Sequence, residues 1–83
     1  MSEDPEQLLK QVGQRIAELR RGLGLTQKAL AERLGISAPY MSQMEHGSEN
    51  LTLRTMVKLA AALGVRTADL LEPPASPSAP SKG

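Results

Sequence analysis

Apolar side chains return every three or four positions over the first third of the chain, where Leu8, Val12, Ile16, Leu19 and Leu23 fall on one stripe. That period predicts an amphipathic helix. Asp4 is placed to cap it, and Pro5 sits in the first turn, where its missing N–H does no harm. Gly13, inside the same pattern, weakens the helix by its backbone freedom. Beyond residue 24 the pattern breaks into shorter units with one grammar: an apolar residue, a Ser or Thr, and a second apolar residue four positions after the hydroxyl.

Leu25-Thr26 leads to Leu30, Ile36-Ser37 to Met41, and Leu51-Thr52 to Met56. In each unit the hydroxyl can take up free N–H groups of a helix start while the flanking apolar pair staples the entry. Gly22 or Gly24, Gly35, Gly47 and Gly64 fall where a left-handed residue would end each helix. The reading is all-α, with five helices: one from Asp4, then Thr26 to Leu34, Ser37 to Glu45, Thr52 to Leu63, and a short fifth from Thr67 to Leu71. No stretch alternates as a strand does. Leu30, Leu34, Ile36, Met41, Met44, Met56, Val57, Ala60 and Leu63 are assigned to the core.

The domain is read as residues 1–72. From position 73 the sequence is PPASPSAPSKG, with four prolines and no large apolar side chain, so 73–83 is expected to be a disordered tail. An 83-residue chain has room for one domain with a modest core, and support from a second subunit would be in keeping with that size. It contains no Cys and one His, which excludes disulfides and leaves no cofactor or metal site to expect. The acidic start MSEDPEQ does not read as a signal peptide, and no apolar run reaches membrane-spanning length. A cytoplasmic location is expected, and no membrane partner.

Formal net charge is only +1, but the charges are unevenly placed. Nine Lys/Arg lie between Lys10 and Arg66, against the four acids Glu18, Glu32, Glu45 and Glu49. A basic middle suits phosphate, and ordinary solvated helix faces would look the same.

The second and third helices are separated only by Gly35-Ile36-Ser37. A glycine that ends one helix, an apolar plug and a capping Ser force a sharp corner, the geometry of the helix-turn-helix. Its second helix is then held out from the body, slim enough for a major groove about 12 Å wide. The segment GLTQKALAERLGISAPYMSQMEHG, followed by LTLRTMVKLAAALGV, resembles the Xre family, the lambda-repressor and Cro-like helix-turn-helix proteins, over roughly residues 12 to 72. The resemblance implies a compact five-helix domain that binds double-stranded operator DNA as a homodimer on palindromic sites.

Residue by residue, the resemblance puts Thr26, Gln27 and Lys28 at a helix start that meets phosphate, with Gln27 also buttressing the reading helix; a plain exposed Gln is the alternative. It implies base reading from Ala38, Pro39, Tyr40 and Gln43, with Ser37 and Ser42 toward the backbone. Many relatives carry long polar residues where this chain has Ala38 and Pro39, so their readout is limited to apolar contact with thymine methyls. Gln43 is the expected polar reader, through a bidentate contact to adenine. Tyr40 either approaches the sugar-phosphate edge or packs half-buried at the helix junction. His46, Ser48, Asn50 and Arg54 follow along the backbone path, with a His that has no special role as the alternative at position 46, and Arg54 with a permanently charged fork suited to phosphate or a narrow minor groove. Arg20 and Glu45 match a structural ion pair. Val65, Leu70 and Leu71 match the dimer surface, with capping of the chain's own core as the alternative for the last two.

The function expected is sequence-specific transcription regulation, by occluding a promoter or contacting RNA polymerase. The stand-alone format and HGSENLTLRTM look similar to controller proteins of restriction-modification systems; phage or plasmid repressors and antitoxin-type autoregulators stay open. The competing reading is a protein-interaction module on the same fold, favoured by Ala38 and Pro39. An enzyme is not expected, because no nucleophile-base pair, phosphate-cradling loop or metal cluster is visible and the chain is too small for a sizeable pocket.

Overall fold

The computed structural model describes residues 4–73. Within them the chain forms four α-helices and a closing 3₁₀ helix: α1 (Pro5–Gly22), α2 (Gln27–Leu34), α3 (Ala38–His46), α4 (Leu53–Leu63) and the 3₁₀ helix Thr67–Leu71. The expected tail from position 74 onward lies outside the described residues. No described residue is in a strand.

Each α-helix starts where a side-chain oxygen replaces a missing backbone partner. Asp4 accepts from the Glu6 N–H, Thr26 from Ala29, Ser37 from Tyr40 and Thr52 from Thr55, at 3.0 to 3.1 Å. The helices end by a shared device as well. The residue after the left-handed glycine reaches back to a carbonyl five positions earlier: Leu25 to Arg20, Ile36 to Ala31, Ser48 to Gln43 and Val65 to Ala60.

The stripe on α1 packs on α3 and on the 3₁₀ helix, while α2 packs on α3 and α4. Ile16, Leu30, Met41, Met44, Leu59 and Leu70 are the largest fully buried side chains. Burying each such side chain contributes about 1.5–3 kcal/mol, and together they come from all five elements, with α1 touching α3, α4 and the 3₁₀ helix. Two polar side chains of α1 tie down the last element: Arg15 Nε donates to the Asp69 carbonyl at 3.0 Å and Gln11 Nε2 to that of Leu71 at 3.3 Å.

Three readings of the sequence change. The fifth helix is a 3₁₀ turn of five residues, too short to present an apolar stripe. Leu70 is fully buried and belongs to the chain's own core, so it cannot line a dimer surface, whereas Leu71 beside it is 48% exposed. Val57 is 51% exposed rather than core. On a helix turning 100° per residue it lies past the edge of the buried stripe Met56, Leu59, Ala60 and Leu63.

Candidate nucleic-acid interface

The corner between α2 and α3 is made by three residues. Gly35 takes φ +70° and ψ 30°, a left-handed conformation in which a Cβ is disfavoured. Ile36 packs against the core. Ser37 then caps the next helix, so no free linker remains to blur the direction of α3.

Helix α3 has two unlike faces. Met41, Met44 and Glu45 are buried, while Pro39, Gln43 and His46 are exposed and Ser42 is half-exposed beside them. Ala38 is half-buried at the start of the helix, and Tyr40 is half-buried and packs against the core. For Tyr40 this is the junction packing that the sequence left as one of two options. Pro39 sits in the first turn, where it removes no helical hydrogen bond.

Glu45 holds the far end of α3. Its Oε2 accepts from Arg20 Nε at 2.7 Å and its Oε1 from Arg20 Nη2 at 3.2 Å, a two-point fit of planar guanidinium to planar carboxylate. The third arm, Arg20 Nη1, donates to the Leu25 carbonyl at 2.8 Å. Oε1 also accepts from Gln27 Nε2 at 2.9 Å. One buried carboxylate therefore fixes α1, the start of α2 and the end of α3 to one another. The resemblance gave Gln27 a buttressing role without its partner; that partner is Glu45.

The remaining candidates surround this frame. Thr26 and Lys28 are exposed at the start of α2. The first turns of α2, α3 and α4 carry no acidic residue, so the positive ends of their backbone dipoles are left for an outside anion. Past α3, the Ser48 hydroxyl and N–H both donate to the Gln43 carbonyl, at 3.1 and 3.0 Å. His46 Nδ1 lies 2.8 Å from the Ser42 carbonyl oxygen, which can only accept, so Nδ1 carries the hydrogen. A phosphate contact from Nε2 then requires the imidazolium form. Asn50 and Arg54 are exposed. Val65 is half-buried against the core.

One residue of this frame has a role that its helix propensity does not reveal. Gly13 is buried against the end of α3, and a Cβ there would stand 2.6 Å from the Met44 carbonyl oxygen, closer still to that of Glu45. A glycine inside a strongly periodic helix is itself the signal for such a close approach.

Among the described residues no group of acidic or His side chains could hold a metal ion, and no helix is long and apolar enough to cross a membrane. The capped corner and the two-faced α3 braced on α1 define the class: a helix-turn-helix fold of the kind DNA-binding regulators use. A helix-turn-helix family model matches residues 16–70, and the chain belongs to that family.

It is 45% identical over 64 residues to the HTH-type transcriptional regulator y4dJ of Sinorhizobium fredii, itself described as uncharacterized, across 77% of this chain and 83% of that protein. In structure it is similar to the restriction-modification controller protein C.AhdI from Aeromonas hydrophila, with a TM-score of 0.72 and 39% identity over 75% of this chain and 94% of that one. It is also similar to the biofilm master regulator SinR in complex with DNA, with a TM-score of 0.68 and 32% identity over 74% of this chain and 98% of that one. Two further curated relatives are longer proteins, of which the chain spans 12% and 46%.

Proposed function

We propose that the chain binds a two-fold-related operator as a homodimer, with α3 of each subunit in the major groove, and so controls transcription from the promoter it covers. The observation that carries this reading is the outward face of α3: Pro39, Ser42, Gln43 and His46 stand opposite a buried face that Arg20, Glu45 and Gln27 lock in place. A reading helix needs such a fixed mount, because base contacts discriminate only in one register.

In this reading Gln43 takes adenine through its amide, and Ala38 and Pro39 meet thymine methyls. Thr26, Gln27 and Lys28 at the start of α2 take phosphate oxygens, with Ser37 and Ser42 on the backbone near α3. His46, Ser48 and Asn50 continue along the strand, and Arg54 reaches a phosphate or the neighbouring minor groove. Several phosphate contacts make affinity fall steeply with salt.

For the dimer, the exposed apolar side chains Leu53, Val57 and Leu71, with half-buried Val65, supply a surface that Leu70 does not. Two-fold pairing would set the α3 helices about 34 Å apart, one turn of DNA. Once bound, occlusion of the promoter or contact with RNA polymerase would carry the regulatory effect. The likeness to C.AhdI supports a controller-type role in a restriction-modification system.

The test is selection from a pool of random duplexes, followed by titration of the selected duplex and measurement of complex mass. The expected result is an inverted repeat bound by two chains. Absence of any preferred sequence, with Kd above about 10⁻⁶ M at low salt, would overturn the regulator reading and favour a protein-interaction module on the same fold.

A further inference from the structure

From the seam between α1 and the end of α3 we infer that Gly13 and Gly47 are positioning residues, a backbone-on-backbone stop that sets how α3 stands relative to the DNA. The inference rests on the reading of α3 as the recognition helix. Two contacts form the stop, one from each side. Gly13 of α1 faces the Met44 and Glu45 carbonyls in the last turn of α3, and a Cβ on it would stand 2.6 Å from the Met44 oxygen and 2.8 Å from the Glu45 carbonyl carbon. Gly47, just past α3, faces α1 in return: a Cβ there would stand 2.7 Å from Lys10 Cα and 2.8 Å from Lys10 N.

Apart from Lys10 Cγ, which a Cβ at position 47 would also meet at 2.8 Å, these neighbours are backbone atoms, which cannot swing aside as a side-chain tip can. An added methyl group must therefore push α1 and the end of α3 apart. The start of α3 is pinned separately by the corner at Gly35 to Ser37, so separation at the far end becomes a tilt. Gln43, immediately before the seam, would be carried with it. The ion pair of Arg20 with Glu45 bridges the same two helices, from Glu45 of the seam to a residue two turns beyond Gly13 on α1, and it holds its geometry only while the backbones stay close.

Position 13 allows a clean test because its backbone is helical, and alanine is a better helix former than glycine. Gly22 is the control, since it lies in the same helix and a Cβ there meets nothing within 4 Å. The wild-type chain, Gly13→Ala and Gly22→Ala are each titrated with the duplex that wild type selects from a random pool and with a scrambled duplex of the same length. Gly13→Ala is expected to keep its helical spectrum and its low-salt affinity for the scrambled duplex, while its preference for the selected duplex falls about tenfold or more. Gly22→Ala is expected to match wild type.

A folded Gly13→Ala chain with the wild-type preference would overturn the inference, as would equal weakening on both duplexes, which marks a purely structural role. Gly47→Asn repeats the test at the second contact with a residue type that tolerates left-handed backbone. Failure of both variants to fold also counts against it, because a stop that only tilts α3 leaves the core intact. A wild-type chain that selects no duplex would instead remove the DNA reading itself.

Discussion

Arg20 and Glu45 are twenty-five residues apart in sequence, yet they meet through two hydrogen bonds of 2.7 and 3.2 Å, with side chains only 11% and 5% exposed. The pair is the joint of the whole frame, because Gln27 and the Leu25 carbonyl are attached to the same two side chains.

Removing either partner strands the other charge in a buried site. Glu45→Ala and Arg20→Ala should each lower stability by about 3–5 kcal/mol in urea unfolding, a large share of what a domain this size has. Arg20→Met combined with Glu45→Leu should cost clearly less than the sum of the single losses.

Leu70 and Leu71 should separate cleanly. Leu70→Ala opens a hole in the core and should cost about 2–5 kcal/mol in the same measurement. Leu71→Ala should leave monomer stability nearly unchanged and instead weaken self-association, read by sedimentation equilibrium.

Ser37 closes the corner by accepting the Tyr40 N–H. Ser37→Ala should cost about 1 kcal/mol of stability, and Ser37→Gly only a few tenths. Thr52→Ala, the same change at the start of α4, provides the comparison, since its hydroxyl holds Thr55 in the same way.

Asp69 titrates below the ordinary value of 3.8 for its type, chiefly because its carboxylate accepts the Arg66 backbone N–H and then because it pairs with the Arg66 side chain. A carboxylate whose value is lowered on folding supports the folded state above its unfolded value, and that support is lost as pH falls through the folded one. Carbon-detected NMR should show an Asp69 midpoint below 3.8, and Arg66→Ala should move it upward. The 3₁₀ helix should loosen at the acid end of that titration.

The elements and their corners were legible because capping is local chemistry. Thr26, Ser37 and Thr52 cap the helices they were assigned to, and Gly35, Gly47 and Gly64 end helices in left-handed conformations. What was not legible depended on the approach of distant segments. Gly13 reads in sequence as a weak point in α1, and only the carbonyls of Met44 and Glu45 show why a side chain would not fit there. Leu70 and Leu71 are adjacent and chemically identical, and the way the 3₁₀ helix packs on α1 and α4 sends one inward and the other out. Gln27 came with a role but no partner, since Glu45 lies eighteen residues away.

The central claim is that α3 reads base edges in the major groove, and analogues that alter that groove alone test it most directly. In the duplex selected by wild type, each thymine is replaced in turn by uracil, and each adenine by 7-deazaadenine. At one or more positions in each half-site the replacement should weaken binding about fivefold or more. Gln43→Ala should abolish the response to 7-deazaadenine while keeping the response to uracil. Equal affinity for the unmodified duplex and for every analogue would contradict the account.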